Sequence, residues 1–203
     1  MRLALKFELV TMLRSNELLP AQRSELFDLD GELPRFDVPL KRVKKRRAIQ
    51  QPLSSLAVEI IREALKNNNK DFVFASPLDN KPLNRKAMAT ALRGTKYKGK
   101  VKSAGICALL GLKPFTPHDL RRTAATLASD LGFDDASIAK CLDHAVTKKG
   151  DAIVPSVTGK VYNHSKRMKE KCAVLDGISA ELRRIIGWPE MNAVDGAELR
   201  LAA

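Results

Sequence analysis

His118 and Arg121 stand three residues apart in a segment that opens with Thr116 and Pro117. On a helix they share one face near the N-terminal end, where the macrodipole attracts anions. Alone, such a pair is most often solvated surface, and it gains meaning only in company. The company comes in chain order: Arg14 far upstream, a basic run from Lys41 to Arg47, the stretch His118-Asp119-Leu120-Arg121-Arg122-Thr123, then Leu142-Asp143-His144, then Tyr162. A guanidinium is planar and permanently charged, so it can hold two oxygens of a phosphate at once. A tyrosine hydroxyl ordinarily ionises near about pH 10 and becomes a useful nucleophile only when a base or a positive field assists it. Phosphoryl chemistry on an anionic substrate is what these residue types suit.

The composition agrees. Among 203 residues, 36 are Lys or Arg against 23 acidic ones, a formal charge of +13 that makes a polyanion the default partner. Nucleic acid is favoured over a membrane surface, because no basic amphipathic segment carries aromatic anchors. No stretch approaches the roughly 20 apolar residues of a membrane span. Met1 to Leu13 lacks the cleavage site of a signal peptide and reads as a core helix. Cys107, Cys141 and Cys172 are odd in number, far apart and in apolar surroundings, which fits free thiols in a reducing cytoplasm. A metal site built from His118, His144 and His164 lacks any recognised ligand spacing.

These residues need elements to position them. The apolar run to about Leu13 reads as a buried helix, with Arg14 at its junction to a short helix capped by Ser15. Arg35 to Leu40 and Ala48 to Leu53 read as a β-hairpin with Lys41, Arg42, Lys44, Lys45, Arg46 and Arg47 at its tip. A patterned helix follows from Ser54 or Ser55 to the turn at Asn67–Asn69, then a short strand at Phe72–Phe74 and a helix over Asn84–Leu92. Arg93 to Lys102 reads as a Gly- and Lys-rich loop, containing Tyr97, that either touches a phosphate backbone or is simply solvated; the second is simpler. Thr116 and Pro117 start a helix that ends before Gly132, with Leu120, Ala124, Leu127, Ala128 and Leu131 as its expected buried stripe. A helix from Asp135 to Leu142 leads to His144, a loop spans Ala145–Thr158, and a long amphipathic helix follows Tyr162.

With those residues in place, the chain resembles the catalytic domain of tyrosine recombinases, phage-type and genomic-island integrases in particular, over about residues 5 to 187. The family's signature is an Arg after the first helix, H-x-L-R-x-T, L-x-H and a late Tyr. Arg14-Ser15-Asn16-Glu17 is similar to the first box, and His118, Leu120, Arg121 and Thr123 match the second throughout. Asp143 stands where the family commonly has Gly, Ile49 where many relatives carry a polar residue, and His144 precedes Tyr162 by 18 residues, implying a long tyrosine loop.

The resemblance implies an α+β fold, mainly helical with a small antiparallel sheet or hairpin, in which residues 1–187 form the catalytic domain and 188–203 a tail that is mobile or docks on a neighbouring subunit. It implies Tyr162 as nucleophile, Arg14 and Arg121 as phosphate clamp, His118 as base, His144 as a phosphate hydrogen-bond donor and a hairpin lysine as general acid. Lys44 matches that lysine best, with Lys45 and Lys41 as alternatives. Lys41, Arg42, Lys45, Arg46, Arg47 and Arg122 are the expected DNA-backbone contacts. The expected partner is double-stranded attachment-site DNA, bound as a tetramer, with a monomer in solution as the alternative; no cofactor or metal is implied. Because Met1 falls almost at the first catalytic helix, an additional N-terminal DNA-clamping domain is expected. Two other functions share part of the pattern: a DNA-binding fragment of the same fold that does not cut, and a type IB topoisomerase, against which the H-x-L-R-R-T box argues.

Overall fold

The computed structural model describes residues 1–43, 48–66, 68–84, 86–144 and 167–188. The first apolar run folds as α1, Arg2–Thr11, with Ala4, Phe7 and Val10 facing the core. It stops short of the expected Leu13 because Met12 adopts a left-handed conformation (φ 56°) and its N–H closes on the Glu8 carbonyl. That turn leads the chain through Leu13 and Arg14 into α2, Ser15–Leu18.

The expected hairpin is present as two strands of a three-stranded antiparallel sheet: β1 (Leu26–Phe27), β2 (Arg35–Val38) and β3 (Ile49–Pro52), in that order. The register pairs Arg35 with Pro52 and Val38 with Ile49. Phe36 and Val38 alternate into the core, as period-2 patterning requires. At only two residues, β1 carries no periodic signal. Helix α3, Ser55–Lys66, buries Leu56, Ala57, Ile60, Ile61 and Ala64 against α1. The strand expected at Phe72–Phe74 reduces to an isolated bridge between Gln22 and Phe72, while Val73 and Phe74 are buried.

Past α4 (Ala87–Arg93), the segment expected to be a loop is instead a two-stranded antiparallel hairpin, β4 (Gly94–Tyr97) and β5 (Lys100–Ala104). Its turn residues Lys98 and Gly99 both have positive φ, 47° and 79°, the geometry of a tight hairpin turn whose twist suits the flanking strands. The lysine-rich composition had masked it. A short helix α5 (Ile106–Leu109) follows, then α6 (Pro117–Asp130), α7 (Asp135–Cys141) and α8 (Met168–Ile186).

The buried stripe of α6 is rotated from the expected one. Pro117, Arg121, Ala124 and Ala128 face inward, whereas Leu131 caps the helix and is exposed. The two alanines allow close approach of α1, and the inward face then includes an arginine that apolar patterning cannot flag. Two apolar clusters result. One joins α1, α2, the sheet and α3; the other joins Met12 to α6, α7 and α8 through Ala124, Ala128, Ile138, Cys141, Val174, Leu175 and Ile178. Helix α1 belongs to both, so its C-terminal end lies at their junction. Cys107, Cys141 and Cys172 are free thiols, and burial pushes Cys141 up to about 12. Among the described residues, no helix is long and apolar enough to cross a membrane.

Candidate active site

Helices α1 and α7 both end where α6 passes, and each end leaves carbonyls without intrahelical partners. Arg121, 3% exposed, satisfies them: one terminal nitrogen donates to the Met12 carbonyl and the other to that of Leu142. Its cation also meets the negative ends of two helix dipoles. Gln51 of β3 does the same one residue back on each helix, donating from Nε2 to the Thr11 carbonyl at 2.7 Å and the Cys141 carbonyl at 3.4 Å. Two planar side chains thus tie the ends of α1 and α7 together.

Arg14 stands at the start of α2, in extended backbone. Buried Glu17 holds it twice, accepting from its backbone N–H and from Nη1, each at 2.8 Å. One Glu17 oxygen also lies 3.9 Å from Arg121 Nη1, so a single carboxylate lies between the two guanidiniums. Burial, and then the neighbouring Arg14 charge, lower Arg121 to about 10, while Glu17, Glu8 and Asp143 oppose the shift. It remains a cation at neutral pH. The Arg14 side chain keeps 33% of its surface exposed and can meet a ligand from solvent.

His118 occupies the first turn of α6 and is exposed. Beside it Asp119 closes the helix start, accepting from the Thr116 N–H at 2.9 Å and Oγ1 at 2.8 Å. These hydrogen bonds, with help from the Arg122 and His118 charges, hold the Asp119 carboxyl below its ordinary range. His118 and Arg121 share a turn, but Arg121 points inward, so that face of α6 runs from solvent to core.

At the end of α7, the His144 N–H reaches the Ala139 carbonyl at 2.9 Å and the Asp143 N–H reaches Lys140 at 3.2 Å. This is the two-bond C-cap that normally places glycine at the left-handed position. Here that position is Asp143 (φ 48°), which explains why Gly is common there in the family the sequence resembles. The Asp143 carboxylate is buried and acts on both Arg121 and Lys171. His144 emerges exposed beside it.

The structure therefore links Arg14 and Arg121 through Glu17, places His144 two residues beyond the Leu142 carbonyl that Arg121 holds, and leaves His118 exposed one turn before Arg121 on α6. Lys44 and Tyr162, with Lys45, Arg46, Arg47 and His164, lie outside the described residues. Lys41 is exposed, and Arg122 is exposed with Asp119 at 3.5 Å. Arg42 departs from the expected DNA contact: its guanidinium pairs with Glu25, lies over the Phe36 ring and is only 10% exposed. A short 3-10 turn over Leu40–Arg42 directs it inward, which composition alone does not reveal.

Three further residues escaped the sequence reading. Glu8, buried on α1, accepts from Ser15 Oγ at 3.0 and 3.2 Å, and burial raises it to about 7. Lys171 on α8 donates from Nζ to the Gln50 carbonyl of β3, and burial lowers it to about 8. Gln51 is fully buried. The available signal was position: Glu8 interrupts an apolar run and Lys171 lies one helical turn before Leu175.

The profile of the phage integrase family matches residues 1–167. Among solved structures, the chain is similar to XerH site-specific recombinase bound to difH substrate in a pre-cleavage complex, with 20% identity, a TM-score of 0.54, and coverage of 85% of this chain and 45% of that one. It is also similar to XerA recombinase, with 19% identity, a TM-score of 0.50, and coverage of 93% and 58%. At these identities the likeness is one of fold, and the chain spans about half the length of either recombinase. No curated protein matches the chain.

Proposed function

Because the chain belongs to the phage integrase family, we propose that it is the catalytic part of a site-specific recombinase that cleaves and rejoins double-stranded DNA through a tyrosine. Residues 1–187 form the catalytic unit in this reading, and 188–203 a tail. The observation that carries it is the Glu17-bridged pair of Arg14 and Arg121, two cations of which one is locked into the fold and the other partly open to solvent.

The Tyr162 oxygen attacks the scissile phosphorus while His118 accepts the hydroxyl proton. Charge then builds on the nonbridging oxygens, where Arg14, Arg121 and a donor from His144 stabilise it; such preorganised donors are typically worth about 10²- to 10³-fold each. The bond to the 5′ oxygen breaks, and Lys44 delivers the proton that oxygen needs. A 3′-phosphotyrosyl link results, and it conserves the energy of the broken phosphodiester, so the reverse attack by a 5′ hydroxyl reseals DNA without ATP. Lys41, Lys45, Arg46, Arg47 and Arg122 line the backbone of attachment-site DNA, and the working assembly is a tetramer. The XerH structure, with its difH substrate bound, supports the DNA-acting reading through the shared fold.

Covalent trapping on nicked attachment-site DNA, resolved on a denaturing gel, tests this. An adduct formed by wild type and absent in Tyr162→Phe is expected. DNA binding without adduct on the correct site would instead identify a non-cutting member of the fold.

A further inference from the structure

Between Asp79 and Asp119 the chain carries nine Lys or Arg residues and no acidic one. The β4–β5 hairpin stands in the middle of this stretch, with Lys96, Lys98, Lys100 and Lys102 all exposed. Some exposed cations elsewhere find carboxylates, Arg2 with Glu63, Arg62 with Asp30, Lys81 with Asp79 and Arg184 with Glu181, and others such as Lys41, Lys66 and Lys113 stand singly among the described residues. None of the four hairpin lysines pairs with a carboxylate among the described residues. A solvated face accounts for scattered lysines, but not for a charge of one sign displayed on a built element.

That element is built at its base. A Cβ on Gly105 would lie 2.3 Å from the Leu92 carbonyl oxygen and from the Gly94 nitrogen, and one on Gly94 would lie 2.3 Å from the Ser103 carbonyl oxygen. Only glycine permits the strands to leave α4 and enter α5 this closely. The register also separates the charges. Lys96 faces Val101 and Tyr97 faces Lys100, while Lys102 falls at the irregularity after Thr95. No lysine lies directly opposite another, which would destabilise the pairing. An isolated two-stranded hairpin is marginal in water, and this one buries almost nothing.

We propose that the β4–β5 hairpin is a separate grip on duplex DNA, laying its lysines against the phosphate backbone outside the catalytic cluster. The proposal rests on the DNA-acting reading above. Lysines are mobile point charges, suited to positioning a backbone and not to reading bases. The same acid-free stretch continues along the chain to the first turn of α6 and His118.

The test is binding of the chain to a short fluorescent duplex across a salt series. A variant with Lys96, Lys98, Lys100 and Lys102 all changed to Gln is compared with a charge-matched control in which Arg2, Lys66, Lys81 and Arg184 become Gln. Each phosphate contact contributes about 0.9 to the slope of log K against log salt. The hairpin variant should therefore lose about 3 to 4 from that slope, the control much less, and a quadruple Lys→Arg variant should retain it. Its melting temperature should not move, and trapping through Tyr162 on nicked DNA at low salt should persist. Should the Gln variant melt early, single Lys98→Glu and Lys100→Glu changes are read in the same way. Equal slopes in hairpin variant and control would overturn the grip while leaving the recombinase reading intact. A wild-type chain that binds no duplex at low salt would overturn both.

Discussion

Arg121 donates to the carbonyl of Met12, a residue 109 positions earlier whose left-handed turn ends α1. The same guanidinium reaches Leu142 at the end of α7, so it locks three chain segments together.

Arg121→Ala should therefore damage stability and activity together. Removing one partner of a buried charged network typically costs about 3–5 kcal/mol. Arg121→Lys keeps the charge but lacks the fork that spans two carbonyls, and should cost about 1–3 kcal/mol. Urea midpoints of both variants provide the check, and an unchanged midpoint in Arg121→Ala would refute the structural role. Cleavage by Arg121→Lys should fall about 10²-fold or more even below its unfolding range.

Asp143 combines a costly backbone with a useful charge. Asp143→Gly and Asp143→Ala both delete the carboxylate facing Arg121 and Lys171, but only Ala must hold a Cβ in the left-handed region, at about 1 kcal/mol. The Gly variant should be the more stable of the two by that amount in thermal unfolding. Equal melting temperatures would mean that the turn rearranges freely.

Glu8 gives the fold a pH dependence whose sign is fixed. Its folded value of about 7 lies above the ordinary 4.5, so the native state holds a proton that the unfolded chain releases. Stability from this group is fully present below about pH 4.5 and is lost as pH rises towards and through 7, by on the order of 3 kcal/mol. Lys171, lowered to about 8 from 10.5, acts in a separate window, where stability rises between those values. Glu8→Gln should flatten the lower window and raise stability at pH 8. Denaturation midpoints between pH 5 and 8 that run parallel for wild type and variant would contradict this.

Gly105→Ala should open the base of the β4–β5 hairpin, because its Cβ would meet backbone at 2.3 Å. An overpacking cost of about 1–3 kcal/mol is expected, expressed locally. Amide exchange at Thr95 and Ser103 should quicken while α6 stays protected; uniform protection would show that the glycine is dispensable.

Local chemistry made much of this protein legible from its residues alone. Thr116 and Pro117 announce the start of α6, short runs flanking a basic cluster announce β2 and β3, and apolar spacing announces α3 and α8. The boxes around Arg14, His118 and His144 were readable because their residue types and chain order resemble the family signature. Tertiary structure decided what local patterning cannot encode. Which face of α6 turns inward depended on two alanines accepting α1, and that choice buried Arg121. Whether Arg42 faces solvent depended on Glu25, 17 residues away. Glu8, Gln51 and Lys171 acquired their roles only when helix ends distant in sequence were brought together, because an unpaired carbonyl or a buried charge acts on whatever lies beside it in space, and sequence order does not say what that is.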